Sequence, residues 1–93
     1  MPSKAEEFDL LVREVFAPCY PVVANQIIEK TGISDGLCLD LGCGNGYLGL
    51  AIAEATNMEV CLLDNDPEML SICQRNIIDR QSGERVRTQP GDV

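Results

Sequence analysis

The chain has 93 residues, with 7 Lys and Arg against 15 Asp and Glu, no histidine, and a formal net charge of −8. Hydrophobic residues make up 45% and charged residues 24%, which is the balance of one small globular domain with a modest core rather than of a disordered segment. The acidic balance argues against a general affinity for nucleic acid or anionic membrane, and no apolar run approaches the ~20 residues that span a bilayer.

The first sixteen residues, MPSKAEEFDLLVREVF, carry acids where a secretory signal has a cationic region and a clean apolar stretch. The expected compartment is therefore the cytoplasm. Within them Phe8, Leu11, Val12, Val15 and Phe16 form one apolar stripe at helical spacing, which predicts an amphipathic helix over 5–16. Pro18 and Pro21 are expected to break it. Val22 to Lys30 resumes a helical pattern, with Gly32 as its C-terminal cap. The turn signal Asp35-Gly36 divides residues 1–36, helical, from residues 37–93.

Leu37 to Leu41 is a nearly continuous apolar run, as in a parallel strand buried on both faces. The glycine-rich loop Gly42-Cys43-Gly44-Asn45-Gly46 follows, and residues 47–56 read as a helix leaving it. Glu59 to Leu63 is a second strand. Asp66 is a good N-cap, with Pro67 at the first position of the next helix. Met69, Leu70, Ile72, Cys73, Ile77 and Ile78 keep helical spacing, and Gln81-Ser82-Gly83 closes that helix. Arg85 to Thr88 is a weak third strand. The fold class is thus α/β, with two N-terminal helices and then β-α-β-α-β. Right-handed crossovers give parallel strands in order 3-2-1, the first half of a Rossmann-like doubly wound sheet.

Five cysteines, Cys19, Cys38, Cys43, Cys61 and Cys73, include no C-x-x-C pair. With no histidine, no metal site is expected, and a disulfide framework is not expected in a cytosolic chain. Cys38 and Cys61 lie in strand-like runs and Cys73 in a helical pattern, where buried inert thiols belong. Cys43 differs, since it stands between two glycines in a loop. The absence of histidine also removes every Ser-His and Cys-His catalytic arrangement.

The loop sits at the carboxyl end of the first strand, where open α/β sheets bind ligands. Two readings compete for it. Gly44-Asn45-Gly46-Tyr47-Leu48-Gly49 formally matches the dinucleotide fingerprint G-x-G-x-x-G. Register argues against that reading, because the glycine that follows the strand is Gly42 and the pattern from it is G-x-G-x-G. Charge argues against it too. Asp40, beside the loop, repels a pyrophosphate and attracts an ammonium or sulfonium. Asp64 ends the second strand, where a carboxylate can accept both hydroxyls of a ribose. Asp66 is the helix cap, and Asp92, after the third strand, is placed to reach the edge of a base.

Together these segments resemble a class I S-adenosylmethionine-dependent methyltransferase. Residues 37–46, LCLDLGCGNG, resemble the family's first motif, residues 64–70, DNDPEML, its acidic second motif, and Pro90-Gly91-Asp92-Val93 its third. The resemblance implies S-adenosylmethionine as cofactor. It places Asp40 near the amino group of the methionine moiety and the backbone from Gly42 through Cys43, Gly44, Asn45 and Gly46 against the ligand. It places Asp64 on the ribose, Asn65 beside the adenine, and Asp92 with the Val93 backbone on the adenine amino group. Residues 16–23, FAPCYPVV, resemble the helical cover over the cofactor, with Tyr20 either touching it or packing in the core.

The family's fourth strand and acceptor-binding part are absent, so the methyl acceptor is unknown, no catalytic residue can be named, and the isolated chain is expected to be inactive. Without a fourth strand, Leu37 to Leu41 becomes a sheet edge patterned for a sheet interior. Dimerisation or aggregation through that edge is expected. Two other readings stay open: a fragment of an NAD-binding oxidoreductase, and a non-catalytic binding or assembly module.

Overall fold

The computed structural model describes residues 3–91. Helix α1 spans Lys4–Leu11, and Ser3 caps it by accepting the Glu6 N–H at 3.1 Å. The helix widens into a π-helical turn at Val12–Phe16, tightens into a 3₁₀ turn at Ala17–Cys19, and continues as α2 at Tyr20–Thr31. The prolines therefore do not break the chain's helical course. Pro18 and Pro21 both fall in first-turn positions, where a missing N–H leaves no intrahelical acceptor without its donor. Gly32 ends α2 in the left-handed conformation, as expected.

Of the expected apolar stripe of the first helix, Val12 alone is buried. Phe8, Leu11, Val15 and Phe16 are exposed, and the buried positions are Ala5, Asp9 and Val12. That row keeps helical spacing, but an aspartate stands at its centre. The reason is a hydrogen-bonding network beneath α1, described below.

Strands β1 (Leu37–Leu41), β2 (Glu59–Asp64) and β3 (Val86–Pro90) alternate with helices α3 (Tyr47–Ala55) and α4 (Pro67–Asp79). The sheet is parallel, with β2 between β1 and β3. Leu39 pairs with Cys61 and Asp40 with Leu62. Asp66 caps α4, its side chain accepting the Glu68 N–H at 2.9 Å, a cap that contributes about 1 kcal/mol.

Two crossovers of one hand in one direction put α3 and α4 on the same face of the sheet. Val60, Leu62 and Val86 on that face are buried with Leu50, Ala53, Cys73 and Ile77 of the helices. The other face carries Leu37, Leu39 and Leu41, each more than half exposed. Burial of β1 on both faces is thus corrected: only one face is covered. Gly49 sets the spacing between α3 and the sheet. A Cβ there would lie 2.4 Å from Leu62 Cδ2, so any larger residue forces the buried leucine or the helix to shift.

Candidate ligand site at the strand ends

Backbone geometry brings the loops after β1, β2 and β3 together. Gly42, Gly44 and Gly46 all have positive φ, which turns the chain sharply from strand into helix. Cys43 N–H donates to the Leu63 carbonyl at 2.9 Å, and Gly91 N–H donates to the Asp64 carbonyl at 3.1 Å. At Gly44 the backbone lies under the Phe8 ring. A Cβ there would stand 3.3 Å from the ring's edge, so α1 closes one side of the loop.

Asp64 is half-buried at the centre of this junction. One carboxylate oxygen accepts the Gly44 N–H at 3.0 Å, and the other accepts the Asp66 N–H at 2.9 Å. Each oxygen keeps acceptor capacity for another donor. Asp40 lies on the covered face, in register with Leu62, and its carboxylate faces the first turn of α3. Burial pushes its pKa up, the Gly49 backbone N–H opposes that by stabilising the ionised form, and the nearby Asp64 adds to the rise. The cap of α3 is Gly46, which has no side chain to bond the helix's free amides, so Asp40 serves that end from the neighbouring strand. Among the described residues neither carboxylate forms an ion pair with Lys or Arg.

The expected site residues Asp40, Gly42, Cys43, Gly44, Asn45, Gly46, Asp64 and Asn65 therefore come from adjoining strand ends and loops. Asp92 and Val93 lie outside the described residues. Asn45 is buried, and its side chain turns away from the strand ends, donating to Asp9 at 3.1 Å. Tyr20 packs in the core, stacked on Tyr47 with ring centroids 6.5 Å apart.

Sequence reading missed Asp9. It is 2% exposed and takes donors from Arg13 and Arg75, each at 2.6 Å, and from Asn45 and Asn76 at 3.1 and 3.2 Å. Asn76 also donates to the Asn45 carbonyl at 3.0 Å. This network fixes α1 and α4 to the glycine loop. The available signal was Asp9 four residues before Arg13, a spacing that also occurs on any exposed helix.

Comparison with known proteins gives the class. A family model described as a methyltransferase domain matches residues 38–93. The chain belongs to this family, the class I S-adenosylmethionine-dependent methyltransferases. Among solved structures it is similar to a proposed S-adenosyl-L-methionine-dependent methyltransferase from Methanococcus maripaludis. The identity is 35% and the TM-score 0.92, over 95% of this chain and 40% of that one. A Podospora anserina methyltransferase solved with S-adenosylhomocysteine shares the fold at 21% identity and TM-score 0.65, over 98% of this chain and 42% of that one. So does the [4+2]-cyclase SpnF, at 22% identity and TM-score 0.68, over 77% and 27%. The chain thus spans less than half the length of these proteins. No curated protein sequence matches it.

Proposed function

We propose that this chain supplies the S-adenosylmethionine-binding part of an enzyme that transfers a methyl group to an acceptor these residues do not specify. One observation carries the choice of ligand. Amides at which an α/β loop would hold a pyrophosphate already serve the chain's own carboxylates: Gly49 N–H at the start of α3 serves Asp40, and Gly44 N–H serves Asp64. An incoming phosphate meets negative charge at both places. An incoming cation meets two half-buried carboxylates that have no ion-pair partner among the described residues.

S-adenosylmethionine, when bound, supplies an electrophilic methyl on a sulfonium and carries an ammonium group beside it. Asp40 attracts the ammonium end. The backbone of Gly42, Cys43, Gly44, Asn45 and Gly46 packs against the ligand, Asn45 through its main chain alone. Asp64 accepts the ribose hydroxyls with its remaining lone pairs, and Asn65 lies beside the adenine. Asp92 and the Val93 backbone take the adenine amino edge. Residues 1–36 act as a helical cap over residues 37–93, with Phe8 at the loop.

Methyl transfer is an in-line displacement, and the protein's part is to align donor and acceptor. The acceptor-facing groups fall to the length that the longer relatives have and this chain does not match, so the chain alone is inactive. The working compartment is the cytoplasm. The exposed β1 edge and its three leucines drive self-association of the isolated chain, which light scattering at micromolar concentration reads; a clean monomer contradicts it.

Titration calorimetry tests the ligand assignment. S-adenosylmethionine and its demethylated product bind measurably and NAD does not. Equal affinity for NAD overturns the reading.

A further inference from the structure

We propose that Cys43 and Cys73 form a redox modification site, which a hydroperoxide converts into an intramolecular disulfide between the glycine loop and α4. Their sulfurs lie 3.6 Å apart. Both also face one acceptor, the Gly44 carbonyl, Cys73 at 2.9 Å and Cys43 at 3.6 Å. Two thiols converging on one carbonyl from different elements are held in register by the fold. Close packing at Gly46 reinforces this, since a Cβ there would stand 3.2 Å from the Cys73 sulfur.

A disulfide requires about 2.05 Å between sulfurs, so the pair must close by about 1.5 Å. Cys73 is fixed within α4, so the loop takes up the movement. Cys43 stands there between Gly42 and Gly44, both at positive φ. The remaining thiols are not so arranged. Cys38 and Cys61 sit on adjacent strands but on opposite faces of the sheet, since Cys38 pairs with Val60 and Cys61 with Leu39. Cys19 is exposed at the start of α2.

The two sulfurs differ in role. Cys43 is half-buried in the loop and Cys73 is fully buried. The hydrogen bond with Cys43 and burial both push the Cys73 thiol up, holding it protonated. Cys43 therefore reacts first. Its thiolate attacks a peroxide oxygen, the O–O bond breaks, hydroxide leaves, and Cys43 becomes a sulfenic acid. The Cys73 sulfur then attacks the Cys43 sulfur. The S–S bond forms, the S–O bond breaks, and the departing hydroxide leaves as water with the Cys73 proton. In sum, two thiols lose two protons and two electrons, and hydrogen peroxide becomes two waters.

Peptide mapping tests the site. No Lys or Arg lies between Thr31 and Gln74, so trypsin leaves four cysteines on one peptide. Cleavage at Asp and Glu separates all five, because an acid stands between each neighbouring pair. The reduced full chain is treated with hydrogen peroxide, its remaining thiols are alkylated, and it is digested. The expected product is one cross-linked pair, Cys43 with Cys73, two hydrogens lighter and reversed by a dithiol. Cys73→Ser stops the cross-link and leaves a Cys43 sulfenic acid that a 1,3-dicarbonyl probe traps. Cys19→Ser changes neither result. Oxidation confined to Cys19, or the same mixed pairings in folded and denatured chain, overturns the proposal.

The bearing on ligand binding rests on the function proposed above. The cross-link displaces Gly44, whose N–H holds Asp64, so the oxidised chain binds S-adenosylmethionine at least tenfold more weakly than the reduced one. A reduced chain that does not bind refutes the ligand assignment and leaves the cross-link to be read by mass. Equal binding by both forms refutes the coupling.

Discussion

Asp9 and the pair Asp40 and Asp64 flank the same glycine loop and are held in opposite ways. Asp9 is buried beneath α1 and receives four side-chain donors, two of them arginines. Asp40 and Asp64 stand half-buried at the strand ends, hold backbone amides, and have no ion-pair partner among the described residues. Neutralised charge inside a protein is structural, because removing one partner leaves the rest buried without compensation. Charge left without a cation at a mouth lined with glycine backbone is available to a ligand. The loop thus has a structural underside and, as proposed above, a ligand-binding rim.

The largest expected effect falls on the underside. Asp9→Ala strands the buried amides of Asn45 and Asn76, while the half-exposed Arg13 and Arg75 turn to water, and costs about 2–4 kcal/mol of folding stability. Urea unfolding measures it, and a loss under about 1 kcal/mol would erase the distinction between the two regions. On the rim, Asp64→Ala removes a charged acceptor and lowers S-adenosylmethionine affinity by about 1.5–3 kcal/mol, roughly tenfold to more than a hundredfold. Unchanged calorimetric affinity would make Asp64 no more than a turn residue. Gly49→Ala tests the spacing that joins the regions. Its Cβ meets Leu62 Cδ2 at 2.4 Å, an overpacking worth about 1–3 kcal/mol in thermal or urea unfolding.

The smallest effect has the opposite sign. Asp40 has a raised pKa in the fold, chiefly through burial. An acid whose folded pKa exceeds its unfolded one costs stability when ionised. That cost is absent below the unfolded value of about 3.9 and grows as pH rises through the folded pKa. Asp40→Asn therefore makes the free chain more stable at neutral pH, and the gap from the unmodified chain closes as pH falls. The same substitution weakens ligand binding. A variant less stable at neutral pH would place Asp40 with Asp9.

Much of the rim was legible because strand-glycine-helix geometry imposes local rules. Gly42, Gly44 and Gly46 occupy left-handed turns, Asp66 caps α4, and the three strands pair in the expected order. The underside was not legible. Asp9 reads as a solvent residue on an amphipathic helix, and only the long-range placement of Arg75 and Asn76 makes its burial tolerable. The same network leaves Phe8, Leu11, Val15 and Phe16 exposed and draws the Asn45 side chain towards Asp9. The course through Pro18 and Pro21 was hidden because first-turn positions accept proline, and sequence alone did not show that the helix would restart at each.

If the rim awaits a cation, as proposed, the titration of the Asp40 carboxyl responds to that cation. Carboxyl-detected NMR follows Asp40 with and without saturating S-adenosylmethionine. In the free chain burial raises its pKa from the ordinary aspartate value, and the bound ammonium and sulfonium draw it down. A pKa that stays unchanged or rises on binding would mean that no cation docks beside Asp40.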